Sequence, residues 1–132
     1  MSSDKAVIQL GAIPKGERIT IMAIAACGST GTIILRDDST VYATLEKTNS
    51  SIQAQLLGPV SGVYTGANLR LELNISHTSY NIKLKSLVHY LAISDGPGDI
   101  KGGAYTVAVE DYTDNDYNDY VISVVSTKKV NS

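Results

Sequence analysis

Apolar and polar residues alternate with a period of two along several segments of the chain. Between residues 69 and 75, Leu or Ile stands at each odd position, and Arg, Glu or Asn stands at each even position. The same alternation, or a longer apolar run, recurs in the segments 18–26, 31–36, 82–85, 105–109 and 120–125. A period of two is typical of β-strands with one buried face, whereas a continuous apolar run indicates a strand buried on both faces. The pattern therefore predicts β-structure along the whole chain.

Clusters of Gly, Pro, Asp and Ser separate these segments. They stand at residues 14–16, 28–31, 37–39, 58–59, 95–98 and 102–103. Such residues favour turns because glycine adopts positive φ and proline fixes φ, and no segment has the periodicity of a long helix. Turn signals about every eight to twelve residues predict an all-β fold, an antiparallel β-sandwich of about nine strands. We expect residues 1–132 to form a single domain.

The composition argues against several classes of protein. The formal net charge is −2 and the longest basic cluster is Lys128–Lys129, so nucleic acid is not an expected partner. The single cysteine, Cys27, allows no intrachain disulfide, and no basic neighbour in sequence would activate it as a nucleophile. No long apolar run follows the N-terminus, so we expect neither a secretory signal nor membrane insertion. The localisation stays open between the cytoplasm and export by a route without a signal peptide.

The densest chemistry lies in the segment 110–119, Glu-Asp-Tyr-Thr-Asp-Asn-Asp-Tyr-Asn-Asp, which holds five of the thirteen acidic residues. Because like charges this close repel each other, we expect a cation to neutralise them. The donors are oxygens without His or Cys, which indicates a hard ion. Calcium fits better than magnesium, because magnesium seldom binds in a dense cage made only of protein. The alternative is a solvated acidic loop between two strands.

The segment is not an EF-hand. Three residues fit the first ligand positions of that motif: Asp114, Asp116 and Asn118. However, Asp119 stands where glycine is required, and Val125 stands where the bidentate glutamate belongs. Since an apolar run follows directly, the segment is predicted to be the loop between the last two strands. A loop can curl its carboxylates round one centre, whereas an extended strand would send them to both faces.

This acidic segment resembles the signature of the bacterial calcium-dependent fucose- and mannose-binding lectins. The family has glycine where this chain has Tyr112, and its motif is likewise followed by a run of valine and isoleucine. Weaker similarity, at the same spacing, covers a proline turn at 13–18 and the segment 23–29, which is similar to the family's sugar-facing strand and loop. The middle of the chain is similar in pattern only.

The resemblance implies a nine-stranded β-sandwich that forms homodimers or homotetramers and holds two adjacent calcium ions. The positions that match calcium ligands are Glu110, Asp114, Asp116, Asn118 and Asp119. The vicinal hydroxyls of the sugar coordinate both ions in that family, and the positions that match its sugar site are Asp111, Asp114, Asp116, Asp119, Cys27, Gly28 and Ser29. Among these, Asp111 matches a residue that hydrogen-bonds the sugar, and 27–29 matches the loop that selects the sugar.

Two departures from the family concern the second calcium ion. The family supplies an Asn ligand where this chain has Ala26, whose methyl group cannot coordinate a metal. The family also ends in a glycine whose carboxylate reaches the partner's second ion, whereas here Lys129 stands at that position and three further residues follow. We therefore expect one calcium ion with all its matched ligands and a second with fewer, since calcium affinity depends on ligand number and charge.

Three functions compete on these grounds. The intact acidic loop favours a calcium-dependent lectin that binds fucose- or mannose-type glycans through their hydroxyls, since the chain has no Trp for stacking. The missing calcium ligands at Ala26 and at Lys129 favour a calcium-stabilised structural or protein-interaction sandwich. An enzyme is disfavoured, because carboxylates that clamp calcium stay ionised and because His77 and His89 lie far from the loop in sequence. The apolar run 120–125 adds the expectation of at least a homodimer.

Overall fold

The computed structural model describes residues 2–112 and 118–128. Their strands are β1 (Ser2–Gln9), β2 (Arg18–Ala25), β3 (Thr30–Arg36), β4 (Val41–Lys47), β5 (Gln55–Val63), β6 (Arg70–His77), β7 (Lys85–Ser94), β8 (Ile100–Glu110) and β9 (Tyr120–Thr127). Paired strands run antiparallel in two sheets, with the orders β1-β6-β3-β4 and β5-β2-β9-β8-β7. The predicted antiparallel β-sandwich is therefore confirmed. In the part of the chain just given, no helix has the length and apolar character needed to cross a bilayer.

Alternate residues of each sheet turn inward and fill the space between the two layers. On β9, the side chains of Tyr120, Ile122 and Val124 are buried, whereas those between them lie on the outer face. The alternation predicted at 69–75 holds in the same way in β6, whose odd positions are buried. Each fully buried Ile, Leu or Val side chain stabilises the fold by about 1.5–3 kcal/mol, so this layer holds the two sheets together.

The register of the five-stranded sheet brings three chain segments to one end of the sandwich. Ala25, the last residue of β2, pairs with Tyr120, the first residue of β9. Tyr120 also pairs with Val109, which is one residue from the end of β8. The segment that follows β2 and the loop between β8 and β9 therefore lie side by side at this end.

Two of the predicted turns lie inside strands instead. Gly102 and Gly103 belong to β8, and Gly58 and Pro59 belong to β5. A Cβ atom on Gly102 would lie 2.4 Å from the carbonyl oxygen of Ser126, so this glycine permits close approach of two strands rather than a turn. Gly58 has a φ of +85° beside a register shift between β5 and β2, and proline is tolerated there because β5 is an edge strand.

The strand predicted at 82–85 is also displaced, because β7 begins only at Lys85. The amides before β7 bond outside the strand ladders. The Lys83 amide donates to the carbonyl of Asp111 at 3.1 Å, and the amides of Ile82 and Leu84 donate to the side chains of Ser2 and Asp4 on β1. The side chain of Ile82 is nevertheless buried. The alternation in this segment therefore reflects burial against the core without sheet pairing.

Candidate functional site

Three carboxylates meet at the end of the sandwich where the acidic loop joins β8 to β9. Glu110 is the last residue of β8, Asp111 follows it, and Asp119 immediately precedes β9. One carboxylate oxygen from each of the three lies within 4.8 Å of the others. Glu110 is 0% exposed, Asp111 is 3% exposed and Asp119 is 8% exposed. The fold therefore concentrates negative charge at a site that is largely withdrawn from water.

Backbone hydrogen bonds fix both ends of the acidic loop. The Asp119 amide donates to the carbonyl of Val109 at 3.1 Å, and the Asp119 carbonyl accepts from the Ala26 amide at 2.9 Å. At the other end, the Asp111 carbonyl accepts the hydrogen bond from Lys83 described above. The carboxylates are thus carried on backbone that is anchored to β8, to the segment after β2 and to the segment before β7.

Each of the three carboxylates accepts a hydrogen bond from a neutral donor. The Ser29 hydroxyl donates to Asp111 Oδ2 at 2.7 Å, and the Asp111 amide donates to Asp119 Oδ2 at 2.9 Å. The Tyr112 amide donates to Glu110 Oε2 at 3.2 Å. These donors are neutral and orient the carboxylates, and the ionised forms of Asp111 and Asp119 repel each other.

The electrostatics of Asp119 show this repulsion. Burial, and then the nearby charge of Asp111, raise the pKa of the Asp119 carboxyl to about 6. A divalent cation among the carboxylates would favour the ionised form and would remove the repulsion. The donor atoms are oxygens, which suits a hard cation such as calcium.

Not all of the predicted calcium ligands fall in the described part of the chain. Asp114 and Asp116 lie outside the described residues, whereas Asn118 lies within them and is exposed. The described cluster contains two predicted ligands, Glu110 and Asp119, together with Asp111, which the sequence assigned to the sugar. Across residues 2–112 and 118–128, this is the group of acidic side chains whose spacing could hold a metal ion.

The predicted sugar-selecting loop, residues 27–29, lies against this cluster. The Ser29 side chain is fully buried, and its hydroxyl bonds to Asp111. The Cys27 thiol lies 3.1 Å from Ser29 Oγ, and burial raises the pKa of the thiol, which agrees with the absence of a nucleophilic role. Gly28 is the loop residue that is partly open to solvent. Cys27 and Ser29 therefore shape the loop from inside, and Gly28 forms its outer surface.

Two side chains that the sequence did not single out support this loop. The side chain of Lys47 is 2% exposed, and its ammonium donates to the carbonyl of Ser29 at 2.9 Å and to that of Asn49 at 2.5 Å. The hydroxyl of Tyr120 lies 3.3 Å from Ser29 Oγ, and burial raises the pKa of this tyrosine. The burial of Lys47 follows from its position in phase with the buried Leu45 of β4, a signal that the strand period carries.

His77 lies close to the acidic loop in space, although it is distant in sequence. It ends β6, and its ring stacks on Tyr80 with 3.6 Å between centroids. Tyr80 lies 5.0 Å from the ring of Tyr112, at the start of the acidic loop. Because β6 and β7 belong to different sheets, the chain after His77 does not form a hairpin. His89 is an exposed residue of β7.

Solved structures of similar fold are bacterial lectins, although the chain matches no protein-family model and no curated protein sequence. The C-terminal domain of the BC2L-C lectin from Burkholderia cenocepacia has a TM-score of 0.60 at 19% identity, over 93% of this chain and 96% of that one. The lectin CV2L of Chromobacterium violaceum, solved with alpha-methyl-fucoside, has a TM-score of 0.57 at 18% identity, over 92% of this chain and 96% of that one. The high-affinity mannose-binding lectin of Ralstonia solanacearum has a TM-score of 0.56 at 27% identity, over 90% of this chain and 93% of that one.

The agreement spans the whole sandwich rather than one motif, since at least 90% of this chain is covered in each comparison. Lectins bind carbohydrates without transforming them, which agrees with the expectation that this chain is not an enzyme. In fold, the chain is similar to bacterial lectins of the fucose- and mannose-binding type.

Proposed function

We propose that this protein is a calcium-dependent lectin that recognises fucose- or mannose-type monosaccharides at the acidic loop. The observation that carries the proposal is the convergence of the carboxylates of Glu110, Asp111 and Asp119 within 4.8 Å of one another, in a fold shared with bacterial lectins. The remaining proposed calcium ligands are Asp114, Asp116 and Asn118, which share the same loop.

The chemistry explains why a cation is needed to bind a sugar here. A sugar hydroxyl competes poorly with water for a protein surface, because both form the same hydrogen bonds. Calcium takes six to eight oxygen ligands, so an ion held by a loop at the protein surface keeps open positions that two neighbouring hydroxyls can fill together. In this proposal the carboxylate of Asp111, which accepts the Ser29 hydroxyl, also accepts a hydrogen bond from a third sugar hydroxyl.

We propose one tightly bound calcium ion. A second ion would bind more weakly, because the chain offers fewer ligands for it. Ala26 offers no side-chain ligand, and its amide is already bonded to the Asp119 carbonyl. The other departure, at Lys129, lies outside the described residues. A second ion that has lost an amide oxygen and a carboxylate is expected to bind less tightly, since calcium affinity depends on ligand number and charge.

The proposal is tested by retention on fucose- and mannose-substituted resin, with calcium and with chelator. Parent protein should be retained in calcium and released by chelator, whereas Glu110→Gln should flow through. The matched control is Glu46→Gln, which makes the same change at an exposed position on β4 and should be retained. Retention of the parent protein that is equally strong with chelator would refute the role of calcium. Stabilisation by calcium without retention would support the alternative of a calcium-stabilised structural sandwich.

The proposal includes a homodimer built on the outer face of the five-stranded sheet. A continuous row of apolar side chains crosses all five strands there: Leu56, Ile24, Val121, Ala108 and Leu87. Leu56 and Leu87 are more than half exposed, as is Leu91 on the same face of β7. Soluble monomers rarely expose large contiguous apolar patches, so a second copy of the chain is the expected cover.

The sequence attributed the dimer to the strand at 120–125, whereas the present proposal attributes it to the outer face of the whole five-stranded sheet. This strand, β9, is central in its sheet, and it contributes to the outer face through Val121 and Val125 rather than along its whole length. The test is light scattering of Leu91→Lys, which should shift the protein to monomer. Val41→Lys, on the edge of the other sheet, is the control and should leave the mass unchanged. A monomeric parent at micromolar concentration would refute the dimer.

A further inference from the structure

A groove lined mainly by hydroxyl-bearing residues opens beside the sugar-selecting loop, and of its described lining residues only Gly28 has a role in the function proposed above. It encloses about 300 Å³, a volume at the lower end of the range for small-molecule sites. Five of its lining residues carry hydroxyls: Thr30, Thr48, Ser50, Ser76 and Thr78. The other described lining residues are Gly28, Asn49 and His77, so none of the described lining residues carries a carboxylate, an ammonium or a guanidinium group. A neutral ligand rich in hydroxyls suits these residues, since they offer hydrogen bonds and no carboxylate or ammonium partner.

The groove adjoins the acidic cluster through two sets of contacts. Gly28 lines the groove, and the next residue, Ser29, donates its hydroxyl to the carboxylate of Asp111. On the other side, the ring of His77 stacks on Tyr80, which contacts Tyr112 at the start of the acidic loop. A glycan held at the acidic loop could therefore extend directly into the groove.

His77 presents a hydrogen-bond donor to the groove. Its Nδ1 atom accepts from the amides of Ser79 at 2.9 Å and Tyr80 at 3.3 Å, so this nitrogen carries no proton and Nε2 carries one. A Cβ atom placed on Gly28 would lie 3.5 Å from His77 Nε2, so the donor faces the surface that Gly28 leaves open. The ring orientation is fixed by these bonds and by the stacking on Tyr80 before any ligand binds.

A buried lysine holds the two walls of the groove at a set separation. The ammonium of Lys47 bonds to the carbonyl of Ser29 on one wall and to the carbonyl of Asn49 on the other. The Asn49 side chain is held in turn by Gln55, whose amide donates to Asn49 Oδ1 at 2.6 Å. A groove whose walls are fixed in advance loses little freedom on binding, which favours affinity.

We infer that this groove is a subsite for the second sugar residue of a glycan whose terminal residue binds at the acidic loop. The inference rests on the proposed function, because the terminal sugar is what delivers the second residue to the groove. His77 Nε2 donates to an oxygen of the second residue, and the surrounding hydroxyls exchange hydrogen bonds with it. The ligand class is therefore a neutral oligosaccharide rather than a monosaccharide.

The test is calorimetric titration of the calcium-loaded protein with methyl mannoside and with mannobioses of different linkage. At least one disaccharide should bind about tenfold more tightly than the methyl glycoside, equivalent to about 1.4 kcal/mol. His77→Asn keeps an acceptor for the Ser79 and Tyr80 amides but removes the Nε2 donor. This variant should reduce the disaccharide advantage to about twofold, while the affinities for methyl mannoside and calcium stay unchanged.

A second pair of variants separates blocking of the groove from damage to the fold. Ser50→Trp places a large side chain at the exposed edge of the groove, whereas Thr65→Trp makes a matched change beyond the far end of β5. The first should abolish the disaccharide advantage and the second should preserve it. Equal affinity for methyl mannoside and every disaccharide, or an advantage that survives both groove variants, would overturn the inference alone. Absence of binding to any sugar in calcium would overturn the proposed function and the inference together.

Discussion

Replacing Asp119 with asparagine should stabilise the calcium-free protein and abolish most of its response to calcium. In the parent, the Asp119 carboxylate lies within 4.8 Å of the carboxylates of Glu110 and Asp111. The asparagine side chain would keep an oxygen that accepts from the Asp111 amide, and its NH2 group could donate to the neighbouring carboxylates. The substitution therefore removes repulsion without removing the hydrogen bond that orients the loop.

The size of this change in the free energy of unfolding follows from the distances between the carboxylates. Two unit charges 4.8 Å apart repel by about 3 kcal/mol in the effective dielectric typical of protein sites. The pKa of Asp119, raised to about 6, agrees in direction: burial is its first cause, and the charge of Asp111 adds to it. Because water screens part of this interaction, we expect Asp119→Asn to raise the free energy of unfolding by about 2 kcal/mol at pH 7 without calcium.

The sign of the pH dependence follows from the same pKa. The folded-state pKa of Asp119 lies above the unfolded value of about 3.9, so the folded protein binds the proton more tightly. The calcium-free parent should therefore gain stability as the pH falls from about 7 towards 4, and the gap between parent and variant should narrow. In calcium at a hundredfold excess over its dissociation constant the order should reverse, because the parent gains about 2.7 kcal/mol by mass action.

The assay is urea unfolding of both proteins at pH 7 and pH 5, with chelator and with calcium. Asp99→Asn is the control, since it removes one exposed acidic charge on the loop before β8 and should change little in any condition. A calcium-free Asp119→Asn protein that is less stable than the parent at pH 7 would show that repulsion at Asp119 does not destabilise the fold. The carboxylate would then be a structural hydrogen-bond acceptor instead of a strained metal ligand.

Three further predictions concern the surroundings of the site and the sheet face. Ser29→Ala removes the donor to the buried carboxylate of Asp111 and should lower the free energy of unfolding by about 1–3 kcal/mol, measured by urea unfolding. Lys47→Met leaves the carbonyls of Ser29 and Asn49 without their donor; it should destabilise the protein by about 1–3 kcal/mol and weaken disaccharide binding more than monosaccharide binding in titration calorimetry. Leu91→Lys should give a monomer by light scattering, with a melting temperature that no longer depends on protein concentration, because the side chain is exposed in the single chain and is covered only by a second copy.

The fold was largely predictable because the alternation of apolar and polar residues, which identifies the strands, is a local feature of the sequence. Alternation along 69–75 and the apolar run at 120–125 identify strands with buried faces, and both are strands in the structure. The wrong predictions concern the turn at 102–103 and the strand at 82–85, where the sequence pattern reflects contacts with distant parts of the chain. Gly102 admits the carbonyl of Ser126, and Lys83 bonds to the backbone of Asp111, and neither contact leaves a periodic trace in the sequence.

The site was predictable only in part, for a related reason. Glu110, Asp111 and Asp119 share one loop, so their convergence follows from a short stretch of sequence. The support of the site comes from distant residues: Lys47 on β4 and His77 on β6 reach the loop 27–29 and its groove through the packing of two sheets. Such contacts depend on how the sheets are stacked, which no local pattern specifies.

The central claim is tested most directly by titration calorimetry in which one sample receives calcium first and methyl fucoside or methyl mannoside second, while a parallel sample contains chelator. We expect saturable calcium binding, followed by saturable binding of at least one of the two sugars, and no sugar binding in chelator. Calcium binding that is followed by no sugar binding, or sugar binding of equal strength in chelator, would contradict the claim.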